Sequence, residues 1–385
     1  MKTRIVILMA AAFCGWFTMI NPVFAQTWTQ TSAPGASWTS IAASADGTKL
    51  VAANYPNLIY TSTDSGMTWT SNNVPDEWWY SMASSADGTK LVAVVNGGGI
   101  FTSTNSGRTW MQTSAPSSVF SYWFSVASSA DGTKLIASGG PGVYISENSG
   151  TTWVSNNVPS GSVATSADGV RLVVVGSGIY TSTNSGTTWV TNNAPSLGST
   201  QGWSAIASSA DGTKLVAGVS GNGYRGPIYT STNSGITWIS NNAPLAYWDS
   251  LASSADGSKL IAAGSAGVFL SANYGINWVS NAPYAYGVAS SADGGKLIAM
   301  MPATPGVGIY VSQSIRAPQL NATSSTTNLI VSWIVPSTNF VMQHSADLQN
   351  WADMTNQPVL NLTNLQNEMI LPLAGSNAFY RLNTQ

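Results

Sequence analysis

The chain has 385 residues, of which 7 % are charged, with 13 Lys and Arg against 15 Asp and Glu and a formal net charge of −2. That length suits one large repeat domain plus a small module. No basic stripe is present, which argues against a nucleic-acid partner; sparse charge with abundant Ser, Thr, Asn, Gly and 16 Trp suits an extracellular β-protein.

The amino end reads as a leader. Lys2 and Arg4 precede an apolar run from Ile5 to Ile20, and Val23-Phe24-Ala25 places small residues at the expected cleavage positions. Residues 1–25 are therefore expected to be a signal peptide cut after Ala25, giving a secreted protein, extracellular or periplasmic. The run is short for a membrane anchor, and no later run is long enough to span a bilayer, so no stable membrane insertion is expected after cleavage. The single cysteine, Cys14, falls inside the leader, and Phe13 before it is too bulky for a lipoprotein site. The mature chain then has no disulfide and no thiol chemistry. Removing Lys2 and Arg4 leaves 11 basic against 15 acidic residues, a net charge near −4.

An Ala-Asp-Gly or closely similar turn then recurs, with its Asp at 46, 87, 131, 168, 211, 256 and 293, in steps of 41, 44, 37, 43, 45 and 37 residues. A period of this size signals a repeat architecture. Each repeat holds four short runs rich in Ile, Val, Thr, Tyr and Trp; in the first they are Trp38 to Ala45, Lys49 to Ala53, Leu58 to Ser62 and Thr68 to Ser71. Four antiparallel strands at this period make the blade of a β-propeller, and seven turns predict seven blades. The last repeat lacks its fourth strand. Thr27 to Pro34 reads almost as Thr109 to Pro116, the fourth strand of the second repeat, so the amino-terminal strand is expected to complete the last blade and close the ring.

The segment Ser62-Thr63-Asp64-Ser65-Gly66-Met67-Thr68-Trp69 resembles the Asp-box, or BNR repeat, Ser-x-Asp-x-Gly-x-Thr-Trp. Copies follow at Ser103–Trp110, Ser146–Trp153, Ser182–Trp189, Ser231–Trp238 and Ser271–Trp278, with Asn105, Asn148, Asn184, Asn233 and Asn273 in place of the acid. Locally, the Asx side chain accepts backbone N–H bonds across a tight turn, the Gly takes positive φ and the Trp packs on its own blade. The resemblance covers residues 26–314. It implies the all-β propeller superfamily that includes sialidases, xyloglucan hydrolases, sorting-receptor ectodomains and photosystem II assembly factors, with the box away from the ligand face. Residues 315–385, opening at Arg316-Ala317-Pro318, carry four strand-like runs and are expected to form a small C-terminal β-sandwich module.

Antiparallel connectivity puts the Asp-Gly turns and the boxes on one face, and the variable connections on the other, where function usually lies. Eight residues before each turn Asp stand Trp38, Trp79, Trp123, Ser160, Trp203, Trp248 and Ala285. Trp and Tyr faces stack on sugar rings, so the candidate ligand-binding residues are Trp38, Trp78, Trp79, Tyr80, Trp123, Trp203, Arg225, Tyr247, Trp248 and Tyr286. A residue repeated in register is equally what packing between blades requires.

The sialidases that the chain resembles use three arginines, a Tyr–Glu pair and an acid, and one free loop Arg, Arg225, does not supply that set. The acids of the variable face, Asp76, Glu77 and Asp249, enter repeats two and six, too far apart for a two-carboxylate glycosidase. His344, the single histidine, has no companion for a metal site. The expected function is non-catalytic binding of a glycan or an extracellular protein by a monomer, with no cofactor and no metal. The alternatives are a glycoside hydrolase and an assembly-factor-like scaffold.

Overall fold

The computed structural model describes residues 27–384 apart from 56–57, 119, 193, 196–200, 222, 304–305, 314–319, 325–327, 336–339, 348 and 373–378, and of the leader only Val6–Ile7. The described secondary structure is all strand, bridge and turn, and among the described residues no helix is long and apolar enough to cross a membrane.

Seven of the four-stranded sheets among the described residues are antiparallel and follow the repeat. Their first strands are Ser37–Ala43, Trp79–Ser84, Trp123–Ser128, Ser162–Thr165, Gln201–Ser208, Trp248–Ser253 and Gly287–Ser290. Each first strand touches the next around a circle, and the seventh touches the first. In the seventh sheet the amino-terminal strand Thr29–Gln30 pairs antiparallel with Val307–Gln313, Thr29 opposite Val311 and Gln30 opposite Tyr310. The outermost strand of that sheet is thus supplied from the far end of the repeat region, as its sequence predicts.

A ring of main-chain hydrogen bonds closes the circle. The N–H of Ala45 donates to the carbonyl of Ala86, Ala86 to Ala130, Ala130 to Ala167, Ala167 to Ala210, Ala210 to Ala255, Ala255 to Ala292, and Ala292 back to Ala45, at 2.6–2.8 Å. The seven alanines come together about the axis. The following Asp builds the turn. In the first sheet Asp46 Oδ1 accepts from the Ser44 hydroxyl, the Thr48 N–H and the Thr48 hydroxyl. Gly47 lies at φ 64°, and a Cβ there would stand 2.9 Å from Cδ of Lys296, whose stem crosses it from the seventh sheet. The same contact joins Lys49 to Gly88, and so on round the ring, with Arg171 replacing lysine against Gly212. The motif therefore encodes the junction between sheets as well as the turn within one.

The boxes stand beside these turns. Asp64 Oδ1 accepts from the Ser62 hydroxyl and the Thr68 N–H, and the Thr68 hydroxyl donates to Oδ2. In the second copy Asn105 Oδ1 accepts from the Thr109 N–H while its Nδ2 donates to the Thr109 hydroxyl, so the amide replaces the acid without losing a bond. The Ser65 N–H donates to the Thr48 carbonyl, tying the box to the Asp-Gly turn of its own sheet. Positive φ falls on two successive residues, Ser65 and Gly66.

Apolar side chains fill each junction. Trp79 and Met82 of the second sheet, for example, pack on Val51, Ala53 and Ile59 of the first. Across the seam between seventh and first sheets, Trp38, Ile41 and Leu50 meet Ile298, Met300 and Ile309.

Beyond the repeats, Asn321–Ser324, Asn328–Ile334, Gln366–Pro372 and Val359–Asn361 form one antiparallel sheet. Phe340–Ser345, Phe379–Thr384 and Ala352–Asp353 form another, with Val6–Ile7 parallel beside Phe379–Thr384. Leu329, Val331, Trp333, Met342, Met369, Leu371 and Tyr380 make their shared core. The end of this unit meets the alanine ring: Ile334, Val335 and Leu365 pack on it, and the Val335 N–H donates to the Leu365 carbonyl at 3.0 Å. Leu365 sits at φ 54°, a left-handed conformation that costs a residue with a Cβ about 1–2 kcal/mol. Behind it lies a cavity of about 170 Å³ on the ring axis, lined mostly by Ser and Ala.

The turn carboxylates link stability to pH. Burial pushes Asp87, Asp131, Asp211 and Asp256 upward, but the neighbouring hydroxyl and backbone N–H bonds outweigh it and hold all four below the ordinary carboxylate value. A depressed pKa contributes stability that is complete above the unfolded value, about 3.9, and is lost as pH falls through the folded values. Urea midpoints should therefore fall on acidification below about pH 4. Asp131→Asn, which keeps the acceptor oxygen and removes the charge, should lose less over that interval than the parent; an identical loss would refute the linkage.

Candidate functional site

The face opposite the alanine ring is built where each connection enters its first strand. The register breaks there in five sheets, between Trp38 and Ser40, Trp79 and Ser81, Trp123 and Ser125, Trp203 and Ala205, and Trp248 and Ser250. Each break is a bulge that re-aims one extra residue. The extra residues are Thr39, Tyr80, Phe124, Ser204 and Asp249, and Gly161 and Tyr286 hold the same position, seven before the turn Asp, in the fourth and seventh repeats. Together they ring the mouth of the axis.

The bulges separate two sets of aromatic residues. Trp38, Trp79, Trp123, Trp203 and Trp248 are all 5 % exposed or less. This corrects the expectation of a tryptophan binding ring: these five are packing residues. Trp79 meets Phe101 of its third strand at 5.1 Å and the box Trp110 at 6.1 Å; Trp38 meets Tyr60 and Trp69, and Trp203 meets Tyr229 and Trp238, in the same manner. Trp123 packs edge-on to Tyr144 and Trp248 to Phe269. The indole N–H groups of Trp123 and Trp248 donate to the carbonyls of Pro116 and Gly226, while those of Trp38 and Trp79 are buried without a partner.

The out-of-register aromatics behave differently. Trp78 is 51 % exposed, Tyr122 50 %, Tyr80 44 % and Tyr286 43 %. Trp78 lies 5.8 Å from Tyr55, an exposed residue from the end of the second strand of the first sheet that pattern reading missed. Phe120 is exposed beside Tyr122, whose backbone bridges to Asn96 in the second sheet. On the far side of the mouth, the Arg225 guanidinium stands 5.7 Å over the half-buried Tyr247 ring. The Tyr284 hydroxyl donates to Asp249 Oδ2 at 3.2 Å, and the Tyr284 and Tyr286 rings meet edge to face at 4.6 Å.

Loss of surrounding water raises the Asp249 carboxyl above its ordinary value, and the Tyr284 hydroxyl offsets only part of this. The Tyr284 phenol is pushed up to about 12 by burial, then by the Asp249 charge and the bond to it. Tyr284 thus stays a hydrogen-bond donor across the physiological range. Asp76 and Glu77 enter the second sheet and Asp249 begins the sixth, so these acids share no junction. Among the described residues no group of three or more His, Cys, Asp or Glu side chains is arranged to hold a metal ion.

No family model and no curated protein matches the chain. Among solved structures, the chain is similar to YCF48 bound to a D1 peptide, with 17 % identity and a TM-score of 0.55 over 76 % of this chain and 98 % of that one. YCF48 from Cyanidioschyzon merolae is also similar, with 14 % identity and a TM-score of 0.55 over 74 % of this chain and 98 % of that one. At this identity the likeness shows the fold, a β-propeller.

The two aromatic sets separate by substitution. Trp79→Ala should cost about 3–5 kcal/mol, as for other fully buried tryptophans, and Trp78→Ala within about 0.5 kcal/mol, as for a surface residue. Chemical denaturation measures both, and equal losses would contradict the assignment.

Proposed function

We propose that this chain is a secreted, non-catalytic recognition protein, a seven-bladed propeller that binds an extended polypeptide segment across its connection face. The observation that carries this reading is the exposure of Trp78, Tyr80, Tyr122 and Tyr286 around the mouth of the axis, on a scaffold whose in-register tryptophans are buried. Large exposed aromatics on a rigid frame are how interfaces concentrate binding energy. The opposite mouth is covered by Val335 and Leu365, which leaves the connection face as the open one. The YCF48 structure that holds a D1 peptide lends the fold-level analogy. An assembly scaffold that grips a partner's chain would use the same chemistry.

On this reading residues 1–25 are a leader removed after Ala25, 26–314 are the propeller and 315–385 a β-sandwich stopper. Cleavage removes the two-residue strand Val6–Ile7 and leaves the mature protein a monomer outside the cytoplasm.

A second reading, glycan binding, is favoured by one feature. Tyr55 and Trp78 present two exposed rings 5.8 Å apart and inclined at 55°, a platform on which a sugar's C–H face can stack.

Panning the mature protein against a peptide-display library and a glycan array distinguishes the two. The polypeptide reading expects enriched peptides whose affinity falls at least tenfold, about 1.4 kcal/mol, in Trp78→Ala or Tyr122→Ala at unchanged thermal stability. Array hits without enriched peptides would replace it by the glycan reading. Binding to neither would end the role assigned to this face.

A further inference from the structure

The bulge position at the head of each first strand has a scaffolding use that two sheets display. In the first, the Thr39 hydroxyl donates to the Trp79 carbonyl of the next sheet at 2.9 Å and to the Ala53 carbonyl at 3.2 Å. In the fifth, the Ser204 hydroxyl donates to the Trp248 carbonyl at 2.9 Å and to the Gly218 carbonyl at 3.2 Å. A hydroxyl here stitches neighbouring sheets. The sixth sheet carries Asp249 instead, and an ionised carboxylate has no proton to donate. It makes no stitch. Among the described residues its partner is the Tyr284 hydroxyl alone, and no lysine or arginine pairs with it. The loop arginine Arg225 stands over Tyr247.

The acid stands exposed at the mouth with no cation paired to it among the described residues, so its charge is available to a ligand from solvent. The rings beside it change its meaning. Tyr284 and Tyr286 meet at 4.6 Å with planes inclined at 70°, Tyr286 is exposed, and Tyr284 fixes one carboxylate oxygen. A carboxylate held by one tyrosine, whose ring meets a second, exposed tyrosine, offers a positive group Coulombic attraction, hydrogen-bond acceptance and ring faces at once.

We propose that Asp249, Tyr284 and Tyr286 form a binding site for a cationic side chain, lysine or arginine, of the bound polypeptide. The proposal rests on the reading of the connection face as a polypeptide site and adds its chemistry: the preferred segment carries a basic residue placed against the sixth and seventh sheets, with apolar or aromatic residues reaching toward Trp78 and Tyr80. The carboxylate supplies the charge, Tyr284 holds it in place, and the Tyr286 ring covers the alkyl stem of the ligand side chain.

The test uses the mature protein and three blocked peptides, acetyl-Gly-Lys-Gly-amide, acetyl-Gly-Arg-Gly-amide and the neutral acetyl-Gly-Met-Gly-amide, titrated at millimolar concentration and followed by NMR shifts of the protein. The lysine and arginine peptides should bind at least tenfold more tightly than the methionine peptide. Asp249→Asn, which keeps an acceptor for Tyr284, should abolish that preference, Tyr286→Ala should weaken it, and Met111→Ala, on the exposed outermost strand Met111–Gln112 of the second sheet, should leave it intact. Equal binding of all three peptides, no binding of the basic ones, or an unchanged preference in Asp249→Asn would overturn the cation site. The polypeptide reading fails separately, by the absence of any library peptide whose binding depends on Trp78 or Tyr122.

Discussion

Seven main-chain hydrogen bonds, each from one alanine N–H to the carbonyl of the alanine in the next sheet, hold the molecule in a circle. A ring of this kind allows no outlier. Each alanine is both donor and acceptor, so a sheet tilted out of place loses two bonds and leaves four polar groups without partners, each costing about 1–3 kcal/mol where buried. The residues beside the alanine follow from the ring. The aspartate closes the turn that presents the amide, the glycine admits the neighbouring lysine stem, and the box ties its own sheet to that turn. The low charge of the chain and its supply of small polar residues are what so many tight turns require.

Closure divides the two faces. The ring face is occupied by its own bonds and by Val335 and Leu365, which press against the alanines while Leu365 holds an unfavourable backbone angle. A strained residue that survives at a contact is over-determined by its surroundings. The opposite face is free of such repetition. Its connections differ from sheet to sheet; the bulges place Tyr80, Phe124 and Asp249 at the mouth, and Tyr286 holds the same position without a bulge, where the first and fifth sheets use hydroxyls for stitching. Specificity can therefore vary at these positions without disturbing the circle.

Much of the frame is readable from residues alone because it rests on periodicity. The recurring Asp-Gly turns, the boxes and the displaced strand at Thr29–Gln30 all have short-range signatures, and the pairing of Thr29 with Val311 follows from matching two segments. The site was legible only in part. Trp38, Trp79, Trp123, Trp203 and Trp248 look like a binding ring because they recur, yet recurrence is what a junction imposes, and each is buried against an aromatic of its own third strand. Trp78 and Tyr122, one place earlier, are the exposed ones. A bulge leaves no mark in composition, so Thr39 and Ser204 look like ordinary strand, and Asp249, readable as an acid of the variable face, gives no sign of its bond to Tyr284. The meeting of Leu365 with the alanine ring lies farther still beyond reach, since it joins Leu365 to alanines from Ala45 to Ala292 with no shared motif.

Native-state hydrogen exchange of the seven alanine amides tests the closed circle most directly. If the ring is continuous, Ala45, Ala86, Ala130, Ala167, Ala210, Ala255 and Ala292 all exchange only through global unfolding, with one common free energy that falls together as denaturant is added. Exchange of Ala292, the donor across the seam, that is orders of magnitude faster than that of Ala130 or Ala167 would contradict closure there.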